Sequence, residues 1–153
     1  MGFWNLFSGK TITTGDEFFG VMIFIGNPND PDEGYFECKR HFKPSGQMIE
    51  LGVTAGLRGP TQRQKDFFSQ IETDYFRLVP RWKEIIEQEF GAWMPLPVIQ
   101  DFAQEFKPEY LSIPTCAVQP IVWEIAFDTV HDLNHIVTVG ILDYEPQYVR
   151  VDG

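Results

Sequence analysis

Residues 61–90, TQRQKDFFSQIETDYFRLVPRWKEIIEQEF, form the one long segment of the chain with clear helical periodicity. Apolar residues recur there at steps of three and four, which places them on one stripe of an α-helix. A stripe of this width needs a cover, and a β-sheet is the natural one. The stripe consists of Phe67, Phe68, Ile71, Tyr75, Leu78, Val79, Trp82, Ile85, Ile86 and Phe90.

The ends of this helix are also marked in the sequence. Thr61 precedes Gln64 by three residues, which is the spacing of a capping box. Gly91 follows the last apolar position and is a typical helix end. Pro80 removes a backbone donor inside the segment, so we expect either a kinked helix or a pair of helices with Pro80 in the first turn of the second.

Three segments before the helix have strand patterns. Residues 18–25 contain a nearly continuous apolar run, which predicts a central strand covered on both faces. The loop GNPNDPDEG at 26–34 separates this run from two alternating segments at 35–42 and 48–55, and together they predict a three-stranded antiparallel meander. The expected inward positions are Phe36, Cys38, Phe42, Ile49, Leu51 and Val53, and the expected outward positions on the first alternating segment are Glu37, Lys39 and His41.

A hairpin is predicted near the end of the chain, in VWEIAFDTVHDLNHIVTVGILDY at 122–144. Both halves alternate, and their apolar sets share one face only if the numbers of facing residues sum to an even value. That condition requires an odd loop, and the three residues 132–134 supply one. His131 and His135 are then expected to face each other beside the turn.

Together these segments predict a single α+β domain over residues 1–153. Its antiparallel sheet combines the N-terminal meander with the C-terminal hairpin, and the helical segment packs on one face. Cys38 and Cys116 lie far apart and outside any CxxC pair, which indicates buried free thiols and a reducing compartment. The first ten residues lack the basic lead of a secretory signal, and no apolar run approaches the roughly 20 residues of a membrane span, so we expect a cytoplasmic protein.

Charge narrows the range of partners. The net charge is −10, and residues 101–153 contain nine acidic residues and two basic ones. We therefore expect no binding to nucleic acid, because phosphate contacts need lysine and arginine. A basic protein partner is favoured instead, since complementary potentials speed the encounter.

The acidic C-terminal part of the chain is the predicted partner-binding surface. Tyrosines among carboxylates there are typical of an interface anchor ringed by charge. The alternative is a solvated face whose tyrosines pack at the edge of the sheet. The candidate residues are Glu124, Asp128, Asp132, Asp143, Tyr144, Glu145 and Tyr148.

Two other functions stay open on the residues alone. Three imidazoles, from His41, His131 and His135, would suit a catalytic zinc in a metal-dependent hydrolase. The spacing of the last two lacks the HExxH pattern, and a polar cross-strand pair is the simpler interpretation. The aromatic content also permits a small-ligand site between helix and sheet. No nucleophile or phosphate-loop motif is present, so we expect no catalytic residues and no cofactor.

The lead MGFWNLFSGK, the strand meander, the helix start TQRQKDFF and the late strand VWEIAF resemble small bacterial α+β proteins. Some relatives of such proteins are immunity proteins of polymorphic toxin systems. The resemblance covers most of the chain in the order of its elements and includes no catalytic motif, so no family site transfers to individual residues. It implies a cytoplasmic protein that neutralises a toxin, and an acidic inhibitor would suit a basic nuclease.

Overall fold

The computed structural model describes residues 12–27, 29–30, 33–93 and 99–153. The predicted N-terminal lead falls outside these ranges. In chain order the described elements are β1 (Thr13–Asp16), β2 (Gly20–Ile25), β3 (Tyr35–Phe42), β4 (Gln47–Thr54), α1 (Gln62–Trp93), α2 (Phe102–Glu105), β5 (Phe106–Ile113), β6 (Val122–Thr129), β7 (Asp132–Leu142) and β8 (Glu145–Asp152).

All eight strands form one sheet in which the spatial order equals the chain order, β1 to β8. Every neighbouring pair is antiparallel except β4 and β5, which are parallel because α1 carries the chain back between them. The predicted α+β class with a mostly antiparallel sheet is confirmed. The sheet is larger than predicted, since β8 adds an edge strand and the meander and the hairpin are joined through β5.

The apolar stripe of α1 packs against one face of this sheet, as predicted. Eight of its ten residues are buried, and Val79 and Ile85 are partly buried. Aromatic rings carry the contact: the ring centroid of Trp82 lies 6.3 Å from that of Trp123 and 5.9 Å from that of Phe127. These rings fill the space between helix and sheet where a small-ligand cleft was one of the expectations.

The capping box at the start of α1 is confirmed. The Gln64 amide N–H donates to Thr61 Oγ1 at 3.4 Å, and the Thr61 N–H donates to Gln64 Oε1 at 2.9 Å. The helix runs unbroken through Pro80 and continues past Gly91 to Trp93, so the division into two helices is wrong. The predicted kink at Pro80 stays a prediction.

The C-terminal hairpin is right in its faces and wrong in its turn. Trp123 pairs with Ile141, Ile125 with Val139 and Phe127 with Val137, so the numbers of facing residues sum to an even value. Their side chains are buried in the core. The turn, however, lies at residues 130–131, and a register shift next to it lets β7 begin at Asp132. The expected facing pair of histidines is therefore not formed.

The strand predicted at 18–25 is shorter than expected and covered on one face only. Asp16 Oδ2 accepts hydrogen bonds from the amides of Phe18 and Phe19, both at 2.9 Å, which turns those residues into the β1–β2 connection. β2 lies next to the edge strand, and Val21 is 70% exposed. A continuous apolar run does not distinguish a strand covered on two faces from one with an apolar outer surface.

The free thiols of Cys38 and Cys116 are both buried, as predicted. Burial raises the pKa of Cys38 to about 12. Within the described ranges, no helix is both long and apolar enough to cross a lipid bilayer.

Candidate functional site: the open face of the sheet

One face of the sheet packs against α1, and we call the opposite face, which no other described element covers, the open face. Side chains alternate between the two faces along each strand, so the register identifies which residues share the open face. One row across it consists of residues that pair in succession from β3 to β8, namely Lys39, Glu50, Tyr110, Ala126, Thr138 and Arg150. The next row contains Ile23, Glu37, Gly52, Ser112, Glu124, Gly140 and Tyr148.

Two tyrosines lie flat on this face because glycines make room for them. A Cβ atom at Gly52 would stand 2.2 Å from the hydroxyl oxygen of Tyr110, and one at Gly140 would stand 2.1 Å from Cζ of Tyr148. Glycine inside a strand often marks such a close approach. The tyrosine rings therefore lie across neighbouring strands, and the open face is broad and shallow at these points.

Tyr148 is held in this position by polar contacts. Its hydroxyl donates to Glu124 Oε2 at 3.2 Å, and the Arg150 guanidinium lies 3.2 Å from the same oxygen. The pKa of Tyr148 is raised by burial and then by the negative charge of Glu124. This network orders three side chains of β6 and β8 on the open face.

A β-bulge adds a further carboxylate. Pro108 pairs with Phe127 while Tyr110 pairs with Ala126, so Glu109 is the extra residue in β5. Glu109 and Tyr110 are both exposed although they are consecutive, which brings the Glu109 carboxyl group next to Asp128 on the open face.

The Glu109 carboxyl group keeps its proton to a higher pH than an ordinary glutamate does. The hydrogen bond with Asp128, followed by burial and the negative charges of Asp128 and Glu50, raises the pKa of Glu109 to about 7. A cation placed beside Glu109 would favour its ionised form.

Acidic groups outnumber basic ones on the open face. Opposite signs alternate along some rows, but the sum is negative, as it is for the chain as a whole. Over β3 to β8 the acidic side chains on this face are Glu37, Glu50, Glu109, Glu124, Asp128 and Asp152, and the lysine and arginine side chains are Lys39, Lys107 and Arg150.

A cavity of about 580 Å³ lies on the open face where β2 to β5 meet. The side chains of Cys38 and Leu51 belong to the core, so these two residues contribute its floor. The other lining residues are Val21, Ile23, Glu37, Lys39, Glu50 and Tyr110.

Three of the predicted partner-binding residues, Glu124, Asp128 and Tyr148, lie on the open face. Asp132 does not join them, because it lies beside the β6–β7 turn with Oδ2 at 2.6 Å from Nδ1 of His135. This contact with His135 lowers the pKa of Asp132.

The other three predicted residues form the β7–β8 turn and serve its structure. Asp143 has a φ of 55°, its Oδ1 accepts from the Ile121 amide at 2.8 Å, and its carbonyl accepts from Trp123 Nε1 at 2.7 Å. The ring of Tyr144 lies 5.8 Å from the guanidinium carbon of Arg77.

Glu145 completes this turn by pairing with Arg81 of α1 at 3.0 Å. The turn is thus tied to the helix side of the sheet. The acidic C-terminal set, which is contiguous in sequence, is divided by the fold between two faces and two ends of the sheet.

The three candidate metal ligands are not brought together. His131 Nε2 lies 2.7 Å from Glu105 Oε1, His135 pairs with Asp132, and His41 is exposed near the end of β3. Over residues 12–27, 29–30, 33–93 and 99–153, no group of three or more histidine, cysteine or acidic side chains is arranged to hold a metal ion.

Sequence reasoning missed Gly52, Glu50, Glu109 and Tyr110 as members of the site. The alternation at 48–55 did place Glu50 away from the core, and a glycine inside a predicted strand was a usable signal of close approach. No local signal showed that β5 would lie beside β4, which is the step that brings Tyr110 over Gly52.

Comparisons of the chain with protein-family models, with curated proteins and with solved structures find no match.

Proposed function

We propose that this chain is a non-enzymatic binding protein whose open face docks on a basic surface of a protein partner. The observation that carries the proposal is a sheet face, uncovered in the described part of the chain, on which tyrosines lie flat and carboxylates outnumber basic groups. Aromatic anchors surrounded by charged groups are typical of protein interfaces.

The size of the open face supports this proposal. Eight strands at a spacing of about 4.8 Å span roughly 34 Å, and six residues of a strand span about 20 Å. The product is roughly 700 Å², close to the about 800 Å² that each partner contributes to a standard interface.

Exposed apolar and aromatic side chains are spread over this area, and a partner could remove their surface from water. Val21 is 70% exposed, Met48 59%, Tyr148 44% and Tyr110 36%. Their burial by a partner would remove apolar surface from water at about 25 cal/mol per Å² before the costs of association are subtracted.

The negative charge of the open face indicates a basic partner. The carboxylates of Glu50, Glu109 and Asp128 come from three adjacent strands, and they stand on a chain of net charge −10. A lysine- and arginine-rich surface would be attracted from a distance and would find paired charges on contact. A basic toxin, as the resemblance to immunity proteins implies, is the kind of partner that this surface fits.

The test is a pair of charge-reversal variants with the same change in net charge. Glu50→Lys with Asp128→Lys alters the open face, and Asp66→Lys with Glu89→Lys alters the exposed side of α1. A partner is first captured from the native host, identified by mass spectrometry and purified, and its dissociation constant is then measured by calorimetry at two salt concentrations.

We expect a basic partner whose binding weakens about 100-fold or more in the open-face variant, and weakens with salt, because close charge pairs at interfaces contribute roughly 1.5 kcal/mol or more each. The α1 variant should stay within about threefold of the parent chain at matched salt, because rim and remote charges contribute little. Equal losses in the two variants, or an acidic partner, would refute the proposal.

A further inference from the structure

We infer that the cavity beside Tyr110 receives a cationic side chain, an arginine or a lysine, that the basic partner contributes as its anchor. This inference deepens the proposed function and rests on it. It assigns the place on the open face where one side chain of the partner is buried, and the chemical class of that side chain.

The cavity has the right size and wall chemistry for a long amphipathic side chain. Its volume of about 580 Å³ exceeds what one side chain fills, so a segment of partner backbone can enter with it. Val21 and Ile23 form an apolar wall on β2, against which the methylene stem of arginine or lysine can pack.

Tyr110 forms the opposite wall. Its ring reaches from β5 across β4, because its hydroxyl lies over Gly52. Arginine guanidinium groups stack on tyrosine faces, and this contact is worth more when the site is partly dry. Burial raises the pKa of Tyr110, and Tyr35 and then the charges of Glu124, Glu37 and Glu50 add to the increase. The three carboxylates place a negative potential at this ring.

Two carboxylates line the same cavity and are not used by the fold. Glu37 lies on β3 and Glu50 on β4, and neither takes part in a salt bridge or hydrogen bond within the described ranges. Lys39 is directly opposite Glu50 but does not form an ion pair with it there. A guanidinium group can donate hydrogen bonds to both carboxylates at once, which a single ammonium group does less well.

The charge of the walls selects against other ligands. An anionic group would meet two unpaired carboxylates and one lysine, and a neutral apolar ligand would leave those carboxylates without water or partner. The charged group of an arginine or lysine can pair with the carboxylates while its methylene stem packs against the apolar wall.

The experiment uses the whole chain and a defined probe. The ¹⁵N-labelled protein is titrated with acetyl-Gly-Arg-Gly-amide and with the analogue in which neutral citrulline replaces arginine, and backbone amide shifts are followed. We expect saturable shifts at residues 37–39, 50–52 and 110–112, with binding of the citrulline peptide about tenfold weaker or more.

Matched variants separate the cavity from the general acidity of the chain. Glu37→Gln with Glu50→Gln removes both cavity carboxylates and should reduce arginine-peptide affinity about tenfold, while Asp66→Asn with Glu89→Gln removes the same charge from the exposed side of α1 and should leave it within about twofold. Tyr110→Leu should also weaken binding, and Tyr110→Phe, which keeps the ring over Gly52, should not.

Equal binding of the two peptides, shifts spread over the acidic residues of the whole surface, or equal effects of the two carboxylate pairs would overturn the inference. The outcomes also separate it from the proposed function. Arginine-specific binding without any basic protein partner would leave the cavity assigned and the docking proposal refuted. A basic partner that is sensitive to Asp128 but indifferent to Glu37 and Tyr110 would do the reverse.

Discussion

Substitution of Gln64 tests how the helix is joined to the sheet. This side chain is 1% exposed and belongs to the capping box of α1. Its Nε2 donates to the carbonyl of Thr54 at 2.8 Å, at the end of β4, and to the carbonyl of Pro114 at 2.9 Å, just after β5. One amide therefore joins the helix start to the ends of the two parallel strands.

The expected cost of Gln64→Ala follows from these contacts. Three hydrogen bonds of the side chain are lost, at about 1 kcal/mol each, and two carbonyls near the core lose a donor, so the free energy of unfolding should fall by about 3 kcal/mol. With a urea m-value of about 2 kcal/mol/M, the unfolding midpoint should move down by about 1.5 M.

Urea unfolding followed by tryptophan fluorescence and far-UV circular dichroism measures this shift. The matched control is Gln62→Ala, two residues earlier on the exposed side of α1. Among the described residues, the side-chain amide of Gln62 hydrogen-bonds only to Asp66, at 3.0 Å. The control should change stability by less than about 0.5 kcal/mol. If the free energy of unfolding of Gln64→Ala falls by less than about 1 kcal/mol, or falls equally in the two variants, Gln64 does not link the helix to the two strands as proposed.

A second substitution at this position checks the donor role separately. Gln64→Glu keeps the acceptor for the Thr61 amide but points a carboxylate at two carbonyl oxygens, so its folded-state pKa should rise above the unfolded value of about 4.3. The stability of a group whose pKa is raised by folding is present at low pH and is lost as pH rises. The deficit of the glutamate variant should therefore be smaller at pH 4 than at pH 8.

Two further outcomes are expected. The pKa of Glu109 is raised from 4.5 to about 7 by the hydrogen bond with Asp128 and by burial, so the stability that this group contributes is complete below about pH 4.5 and is lost as pH rises through about 7. Glu109→Gln should flatten the fall in the urea midpoint between pH 5 and pH 8, and an unchanged profile would contradict the raised pKa of Glu109. Trp123→Phe should lower the free energy of unfolding by about 1 kcal/mol more than Trp82→Phe, because the indole N–H of Trp123 has a hydrogen-bond partner while that of Trp82 has none in the described part of the chain. Parallel calorimetric melts measure this difference, and equal losses would contradict it.

The agreement between sequence and structure is closest where the physics is local. The helix and its capping box depend on spacing within a few residues, and so does the assignment of inward positions on β3 and β4. The faces of the C-terminal hairpin were predictable for the same reason, since alternation has a period of two. The turn was not, because a register shift beside Thr129 moved it by two residues without changing the buried set.

The candidate site was predicted only in part, for a physical reason that its residues make plain. Glu124, Asp128 and Tyr148 were found through charge and composition, and they do lie on the open face. Asp143 and Glu145 are acidic as well, but they lie away from the open face. Asp143 accepts a hydrogen bond from a backbone amide, and Glu145 pairs with an arginine of α1. Composition reports which groups are present and carries no information about which side of a sheet they meet.

What the amino-acid order determined by itself is the set of elements and their apolar faces, because helical and strand periodicities are read within one segment. The tertiary structure alone decided that β4 and β5 lie side by side. That contact places Tyr110 over Gly52 and forms the cavity beside them. It also joins the acidic side chains of the N-terminal meander and of the C-terminal hairpin on one open face. Strand neighbours separated by a long helix are chosen by the burial of the whole stripe of α1, and that choice is a property of the packed molecule.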